Sequence, residues 1–180
     1  PERANLAVVR EGEYEALEAR LAQPENTPDF GPATFQPKTG ATAVGARDFL
    51  VAYNVNLNTT STRRANAIAF DVREKGRVKR QPDPVTGEIV YDDAGNKMWT
   101  PGALKCCKGI GWFIEEYGVA QISMNLTNIS ITSMHVAFDT CALKAQARGI
   151  RVTGSEAVGM VPLSSMLDAG RYFLGKQQRS

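Results

Sequence analysis

Apolar and polar positions along the chain follow two periods, and the extended pattern predicts four strands. Residues 49–57 are β-rich and largely apolar, as a central strand buried on both faces would be. Residues 109–116 and 119–125 are separated by a two-residue turn, which is the spacing of a hairpin. A last short strand is predicted at residues 150–153.

Apolar residues at helical spacing predict two helices in the first half of the chain. A short amphipathic helix is predicted at residues 11–21. The next one is capped at Thr60 or Ser61 and stops before Gly76. The residues predicted to face inward are Tyr14, Leu17 and Leu21 in the first helix, and Ala65, Ile68, Ala69 and Val72 in the second.

The second half of the chain carries two more predicted helices. One follows a cap at Thr132 or Ser133 and ends at Gly149, and the other follows Pro162 and ends at Gly175. The residues predicted to face inward are Met134, Ala137, Phe138, Cys141 and Ala145 in the former, and Leu163, Met166, Leu167 and Phe173 in the latter.

Two segments break these patterns. Residues 23–47 are rich in proline and glycine, which predicts a long ordered loop without regular structure. Residues 81–98 carry turn sequences on both sides of residues 88–91, which predicts a hairpin excursion. The element order is then β-α-β-β-α-β, an α+β fold of the ferredoxin-like type with an extra C-terminal helix and a β-hairpin insertion. That fold hosts many functions and decides none.

The composition is that of an average soluble globular protein. The 180 residues are 43% hydrophobic, and 21 basic side chains balance 19 acidic ones, so no basic excess points to nucleic acid. No apolar run of membrane-spanning length and no signal-peptide pattern is present in the sequence, so we expect a cytoplasmic protein. The chain starts at Pro1 rather than Met, which suggests a fragment or a processed chain.

Histidine and cysteine, the usual carriers of metal and nucleophilic chemistry, are scarce. The single histidine, His135, lies in a predicted helix without a second histidine to form a metal site or a catalytic pair, so we expect a structural role. Cys106 and Cys107 are adjacent and lack metal-ligand spacing, so we interpret both as packing residues. No metal is expected.

One pair of strand motifs favours a different function. Residues 108–114 approximate the octamer of RNA-recognition domains, and residues 53–57 approximate its partner hexamer. Against this alternative, Ile110 replaces the first aromatic residue of the octamer, and the octamer falls on the second predicted strand instead of the third. An RNA-binding module therefore remains the second hypothesis.

The loop at residues 28–37 is stiff and rich in aromatic and polar groups. It holds two phenylalanines and three prolines, and stiff loops lose little entropy on binding. Phe30 and Phe35 could sandwich a flat heteroaromatic ring while Thr34 and Gln36 contact its edge. A proline-stiffened linker between domains has the same composition, so the residues alone leave both interpretations open.

Several motifs together resemble the glutamate formimidoyltransferase family. They are P-D-F-G-P-A-T-F-Q-P at 28–37, G-A-T-A-V-G-A-R-D-F-L at 40–50, N-V-N-L at 54–57, G-I-G-W-F-I-E-E at 109–116, A-Q-I-S-M-N-L-T-N at 120–128 and G-S-E-A-V-G-M-V-P-L at 154–163. The resemblance covers nearly the whole chain from about residue 11. It differs at residues 83–99, where this chain carries a longer hairpin insertion than we expect of the animal enzymes.

The resemblance implies a transferase built from two ferredoxin-like subdomains with folate in a tunnel between them. Residues 1–46 would be the end of the N-terminal subdomain, and residues 47–180 the C-terminal subdomain. The family's folate loop maps onto Pro28, Asp29, Phe30, Gly31, Pro32, Ala33, Thr34, Phe35, Gln36 and Pro37.

The activity that the resemblance implies is transfer of a formimino group between N-formimidoyl-L-glutamate and the co-substrate tetrahydrofolate, in histidine degradation. The family's catalytic histidine lies earlier than any residue of this chain, and His135 matches a different, helical histidine of the family. We therefore expect the isolated chain to be inactive without the rest of the N-terminal subdomain. A homo-oligomer is also expected, and animal members are often fused to a cyclodeaminase.

Polar strand residues are candidates for the tunnel wall. Strand alternation places Asn54 and Asn56 on one face of their strand, and Gln121, Ser123 and Asn125 on one face of theirs. Arg47 is added as a candidate partner for substrate carboxylates, whereas we interpret Lys38 as ordinary surface charge. A purely structural subdomain is the remaining alternative.

Overall fold

The computed structural model describes Arg3 and residues 5–178. The chain divides into two compact units, Pro1–Arg47 and Asp48–Ser180. The units differ in how much side chain they bury.

The first unit consists of short helices and turns. Helix α1 spans Leu6–Val9, α2 spans Leu17–Leu21, and a 3-10 helix spans Pro24–Asn26. The predicted helix at residues 11–21 is therefore wrong in its first six residues. Gly12 and Glu13 have φ angles of 74° and 51°, in the left-handed region, and two such residues in succession interrupt a right-handed helix.

Hydrogen bonds from two arginines connect the segments of this unit. The Arg20 guanidinium donates to the carbonyls of Val8, Val9 and Glu11. Arg3 donates to the carbonyl of Thr27 at 2.7 Å. Because none of the described residues of this unit is fully buried, these polar contacts hold its segments together in place of a core.

The second unit alternates strands and helices. In chain order its elements are β1 (Val51–Leu57), α3 (Thr62–Val72), β2 (Arg77–Val78), β3 (Arg80–Gln81), β4 (Glu88–Ile89), β5 (Trp99–Thr100), β6 (Cys107–Ile114), β7 (Val119–Leu126), α4 (Met134–Gln146), β8 (Val152–Val158) and α5 (Leu163–Lys176). The Ser61 hydroxyl accepts a hydrogen bond from the Arg64 N–H, so Ser61 is the cap of α3. Among the described residues, no helix is long and apolar enough to span a bilayer.

Four strands form one antiparallel sheet in the order β6-β7-β1-β8. A structure of mixed helices and strands with one antiparallel sheet of four strands is thus confirmed. Between α3 and β6 the chain makes the predicted excursion, in which β2 pairs with β5 and β3 pairs with β4. The excursion begins earlier than predicted, at Arg77, and ends at Thr100.

The hydrophobic core lies between the sheet and two helices. Helix α3 packs on β6 and β7, and α4 packs on β1 and β8. The inward faces predicted for these helices are confirmed, because every predicted position except the partly buried Phe138 is buried. The strand side chains of this core include Val51, Val55 and Leu57 of β1 and Ile122 and Leu126 of β7.

Gly111 of β6 sets the distance between sheet and helix. A Cβ at this position would lie 2.2 Å from the backbone N of Asn66 in α3. The Asn66 amide donates to the Gly111 carbonyl at 3.0 Å and accepts from the Gly111 N–H at 2.9 Å. Close packing against α3 therefore explains the second glycine of the G-I-G-W-F motif, Gly111, without a role in binding a ligand.

Two predicted elements near the C-terminus need correction. Strand β8 runs to Val158, five residues beyond the predicted end. The predicted inward face of α5 is wrong for Leu163, Met166 and Leu167, which are 73%, 52% and 48% exposed. Helix α5 instead packs on α4 through Tyr172 and Phe173, whose rings contact His135 and Phe138.

Candidate functional site

The loop at residues 28–37 has no regular structure, and its two phenylalanines have different surroundings. Phe35 is half-buried, with its ring centroid 5.6 Å from that of Tyr14. The Tyr14 hydroxyl donates to the Pro37 carbonyl at 2.8 Å, which fixes the end of the loop. Phe30 is 94% exposed. Of the two rings that could sandwich a ligand, Phe35 thus packs within its unit and Phe30 does not.

The start of the loop is also held in place. Asp29 accepts a hydrogen bond from Arg3 at 2.8 Å. Gly31 has a φ of 85°, so the backbone turns directly after Phe30 in a conformation that favours glycine. Polar groups follow at Thr34 and Gln36, both exposed. This arrangement can present an aromatic face and hydrogen-bonding groups to a flat ligand.

A row of polar side chains lies on one face of the sheet in the second unit. The register pairs Asn54 with Ser123 and Asn56 with Gln121, and Asn125 follows two residues later on β7. Their strand neighbours face the helices, so the polar row lies on the opposite face. We call this the open face, defined by Ile110 and Trp112 of β6, Gln121, Ser123 and Asn125 of β7, Asn54 and Asn56 of β1, and Glu156 of β8.

Gln121 of β7 forms hydrogen bonds to the other three strands on the open face. Its Oε1 accepts from the Trp112 indole at 2.9 Å, and its Nε2 donates to Asn56 Oδ1 at 2.6 Å and to Glu156 Oε1 at 3.4 Å. Gln121 is 0% exposed and Asn54 is 7% exposed, so these amides are desolvated parts of the face. An indole N–H only donates, which determines how the Gln121 amide is oriented.

The sequence interpretation missed Trp112 and Glu156 as members of this face. The hairpin supplied a signal for Trp112, because counting back from a two-residue turn at 117–118 pairs it with Ser123, which lies on the same face as Gln121. The structure pairs Trp112 with Gln121 instead, since the turn has four residues, 115–118. Glu156 had no such signal, since the last strand was predicted to end before it. The open face can therefore offer an indole ring, several amides and one carboxylate to a ligand.

Comparison with known families adds an independent finding. Residues 52–180 match the formiminotransferase domain, and residues 1–47 match the formiminotransferase domain, N-terminal subdomain. The chain belongs to the formiminotransferase family.

Curated relatives agree with this membership. The chain is 43% identical to the formimidoyltransferase-cyclodeaminase of Dictyostelium discoideum and 42% identical to that of Mus musculus, over 97% and 99% of its length. It is 36% identical to the glutamate formimidoyltransferase of Streptococcus pyogenes serotype M1 over 97% of its length. The chain spans 29% of the first two proteins and 50% of the third.

Both basic residues that were considered as partners of substrate carboxylates in this formiminotransferase chain belong to the first unit. Arg47 is its last residue and is exposed, and Lys38 directly follows the loop and is also exposed. The polar row belongs to the second unit, so the predicted site residues fall into one group on the loop and another on the sheet.

The single histidine of this formiminotransferase chain is packed between helices. The His135 ring stacks on Tyr172 with centroids 4.5 Å apart, and its Nε2 lies 3.0 Å from the Ser133 hydroxyl. Its Nδ1 is buried and has no hydrogen-bond partner in the described structure. Helix α4, which carries His135, packs on the face of the sheet opposite the polar row. These contacts support the structural role predicted for His135.

The cysteines are placed for packing. Burial raises the pKa of the Cys107 thiol to about 12, and burial also raises the pKa of Cys141. Both thiols therefore remain protonated at neutral pH, where a nucleophile would need thiolate. The cysteine next to Cys107, Cys106, is half-buried and free.

The structure weakens the RNA-binding alternative. Tyr53 of the hexamer is 7% exposed and donates a hydrogen bond to the Ser155 hydroxyl at 2.9 Å, so its ring belongs to the core. Strand β6, which carries the octamer, is at the edge of the sheet instead of its centre. An RNA-recognition surface needs these aromatic rings on the open face of central strands.

Proposed function

We propose that this chain is part of a glutamate formimidoyltransferase, which transfers a formimino group between N-formimidoyl-L-glutamate and tetrahydrofolate in histidine degradation. The observation that carries the proposal is the match of residues 1–47 and 52–180 to two consecutive parts of one transferase domain. The relatives that bear the name of this activity align over nearly all of the chain. The cytoplasm is the proposed compartment, because Cys107 and Cys141 are buried as free thiols.

The architecture that we propose is the ferredoxin-like one. The order β1-α3-β6-β7-α4-β8, with β1 and β7 in the centre of an antiparallel sheet, supports it. Residues 47–180 would form the C-terminal subdomain and residues 1–46 the end of the N-terminal subdomain. In this arrangement α5 is an addition after the last strand, and the segment from β2 to β5 is an insertion.

In this proposal, the loop from Pro28 to Pro37 holds the folate, and Phe30 stacks on its pterin or aryl ring. The exposure of Phe30 supports this role, because a ring with 94% of its surface in solvent contributes little to folding. Phe35 orients the loop through Tyr14, and Thr34 and Gln36 supply hydrogen bonds.

The polar row would line the wall of the folate tunnel. Asn54, Asn56, Gln121, Ser123 and Asn125 are assigned to it, and their shared face supports the assignment. Amides held in place, such as that of the half-buried Asn56 next to Gln121, can hydrogen-bond a heterocycle with little further loss of conformational entropy. Arg47 is assigned to a substrate carboxylate.

The chemistry needs positioning, proton transfer and exclusion of water. An amine nitrogen of the folate attacks the amidine carbon, and the glutamate nitrogen leaves with a proton. The loop and the polar row position the two substrates. The acid/base group is proposed to be a histidine of the preceding part of the N-terminal subdomain, since the assigned surfaces of this chain contain none.

Two titrations test the proposal. The two-subdomain transferase, which is this chain joined to the rest of the N-terminal subdomain, is titrated with 5-formyltetrahydrofolate and separately with a short single-stranded RNA. We expect saturable folate binding and no salt-dependent RNA binding. RNA binding that weakens steeply with salt, without any folate binding, would overturn the transferase proposal.

A further inference from the structure

Glu156 is a carboxylate of the open face with an incomplete set of partners. It is half-buried and lies opposite Asn54 in the pairing of β8 with β1. The structure gives its Oε1 a hydrogen bond of 3.4 Å from Gln121. Among the described residues it forms no ion pair with lysine or arginine. A half-buried carboxylate is stabilised when charged donors complete its shell.

The neighbours of Glu156 are fixed. The Trp112 indole orients the Gln121 amide, whose two N–H groups are directed at Asn56 and at Glu156. Gln121 therefore holds one oxygen of the carboxylate, and the second oxygen has no hydrogen bond from any described residue. Gln121 thus contacts the carboxylate on one side, and the carboxylate has capacity for further donors.

The open face also offers apolar surface to a flat group. The ring of Trp112 is 41% exposed and Ile110 is 54% exposed, both on the edge strand β6. Trp112 lies opposite Gln121 in the register, so the indole and the amide are parts of one surface. A planar group with two parallel N–H donors matches an oriented carboxylate beside apolar surface.

We propose that Glu156 accepts the paired N–H groups of an amidine-type end, N–C=N, of a bound ligand. The inference rests on the proposed function, in which two ligands carry an N–C=N group with paired N–H donors. One source is the formamidine group of N-formimidoyl-L-glutamate, and the other is the 2-amino-4-oxo pyrimidine edge of the pterin. Glu156 is accordingly a ligand-binding residue, and Gln121 and Trp112 are positioning residues that hold it.

The test compares Glu156→Gln with Glu116→Gln in the two-subdomain transferase. Glu116 is an exposed residue of the turn between β6 and β7 and provides the same change of charge on the same sheet. Both variants are made in a Trp99→Phe background, which leaves Trp112 as the single tryptophan of this chain, since the sequence has two. Affinity is measured by calorimetry for 5-formyltetrahydrofolate and for N-formimidoyl-L-glutamate, and Trp112 fluorescence reports binding at the open face.

We expect Glu156→Gln to weaken one of the two ligands about tenfold, because a charge-assisted hydrogen-bond pair is lost. The other ligand and the Glu116→Gln control should stay within about twofold of the parent. If Glu156→Gln lowers the affinity for the folate alone, Glu156 binds the pterin edge. If it lowers the affinity for N-formimidoyl-L-glutamate alone, Glu156 binds the formamidine group.

Any of four results would overturn the inference. Unchanged affinity for both ligands in Glu156→Gln leaves the proposed function standing and removes Glu156 from the site. An equal loss for both ligands indicates a general effect of charge on the face. A lower melting temperature with unchanged affinities indicates a structural role, through the hydrogen bond from Gln121. If the parent itself binds neither ligand, the proposed function fails and the inference fails with it.

Discussion

Phe30 and Phe35 occupy one loop but contact different things. Phe35 packs on Tyr14, whereas Phe30 is almost fully exposed. A ring that stacks on an aromatic ligand contributes to binding, and a ring that packs within the protein contributes to stability. The sequence predicted the same role for the two residues, because composition and spacing do not reveal which ring contacts another part of the chain.

We predict that Phe30→Leu weakens folate binding by on the order of 1 kcal/mol, about fivefold in Kd, because the stacked ring is lost. The melting temperature should not change, since Phe30 has few contacts to lose. Both quantities are measured in the two-subdomain transferase, by calorimetry and by thermal unfolding.

Phe35→Leu is the matched control in the same loop. It should lower the melting temperature by about 2–4 °C through lost packing on Tyr14. Equal folate affinity of the parent and both variants would remove the loop from the site and make it a linker.

His135 illustrates the same distinction for a titratable residue. Its ring stacks on Tyr172 and its Nε2 contacts Ser133, so its visible contacts are with the protein. We predict that His135→Gln leaves kcat and KM of the two-subdomain transferase within about twofold. The melting temperature should fall, because the stack is lost.

Tyr172→Leu removes the same stack from the other side. If loss of this stack lowers the melting temperature of both single variants, the double variant that carries His135→Gln and Tyr172→Leu should melt close to the less stable of them. The effects of changing two coupled contacts are not additive. Loss of turnover in His135→Gln with unchanged melting and unchanged folate binding would contradict the structural assignment.

At the level of elements, Asp139 ties α5 to α4. Tyr172 and Lys176, one helical turn apart on α5, donate to its carboxylate at 2.5 and 2.7 Å. Burial disfavours the charged form, but the hydrogen bonds from Lys176 and Tyr172 outweigh it, so the pKa of Asp139 is lowered. The ionised carboxylate therefore stabilises the packing of α5 on α4.

We predict that Asp139→Asn lowers the melting temperature by about 2–4 °C at neutral pH. The unfolded chain binds the proton more readily than the folded one, because the folded pKa is lowered. The stabilisation is therefore present above the unfolded pKa of an aspartate and is lost as the pH falls through the folded pKa. Parent and variant should converge in acid.

Thermal unfolding across this acid range measures the prediction. Asp168→Asn on α5 is the matched control, because Asp168 is exposed and, among the described residues, its ion pair is with Arg171 one turn away, at 3.4 Å. A difference between Asp139→Asn and its parent that persists unchanged into acid would show that the charge is not the cause.

The elements also show what the hydrophobic pattern could predict. Helices α3 and α4 were predicted with their buried faces, because their apolar positions meet the sheet directly. Helix α5 has an equally clear apolar side, but Leu163, Met166 and Leu167 are exposed. Periodicity identifies the apolar side of a helix and does not identify what covers it.

Strand β8 was underestimated for a related reason. It lies at the edge of the sheet, and Gly154, Ser155 and Glu156 give it no apolar alternation. The polar row on β1 and β7 was predictable from alternation alone, since both strands are central. The part of the face that depends on Glu156 was not, because it required the true extent of β8.

At the scale of the whole chain, the two units are stabilised differently. The first depends on hydrogen bonds from Arg3 and Arg20, and none of its described residues is fully buried. The second contains the core. The segment that carries residues 28–37 should therefore be the less stable of the two in this chain.

This division bears on activity. The reaction of the proposed function needs a group that moves a proton, and the single histidine of the chain is on the helix side of the sheet, in contact with Tyr172. The assigned loop and polar row can bind and orient ligands but contain no histidine. Binding and turnover should therefore separate when this chain is studied alone.

We predict that this chain alone produces no 5-formiminotetrahydrofolate from N-formimidoyl-L-glutamate and tetrahydrofolate, because the acid/base group is missing from its assigned surfaces. Mixing it with a separately produced N-terminal subdomain should restore measurable turnover, since the proposed function places the acid/base histidine in that subdomain. The rate should rise with the concentration of the added subdomain and saturate, as expected for a binding equilibrium between two parts.

An N-terminal subdomain with its histidines replaced by glutamine is the control, and it should bind without restoring activity. Turnover by this chain alone would contradict this prediction, because it would require a proton-transfer group among the chain's own residues. Glu156 on the open face would then be the first residue to replace.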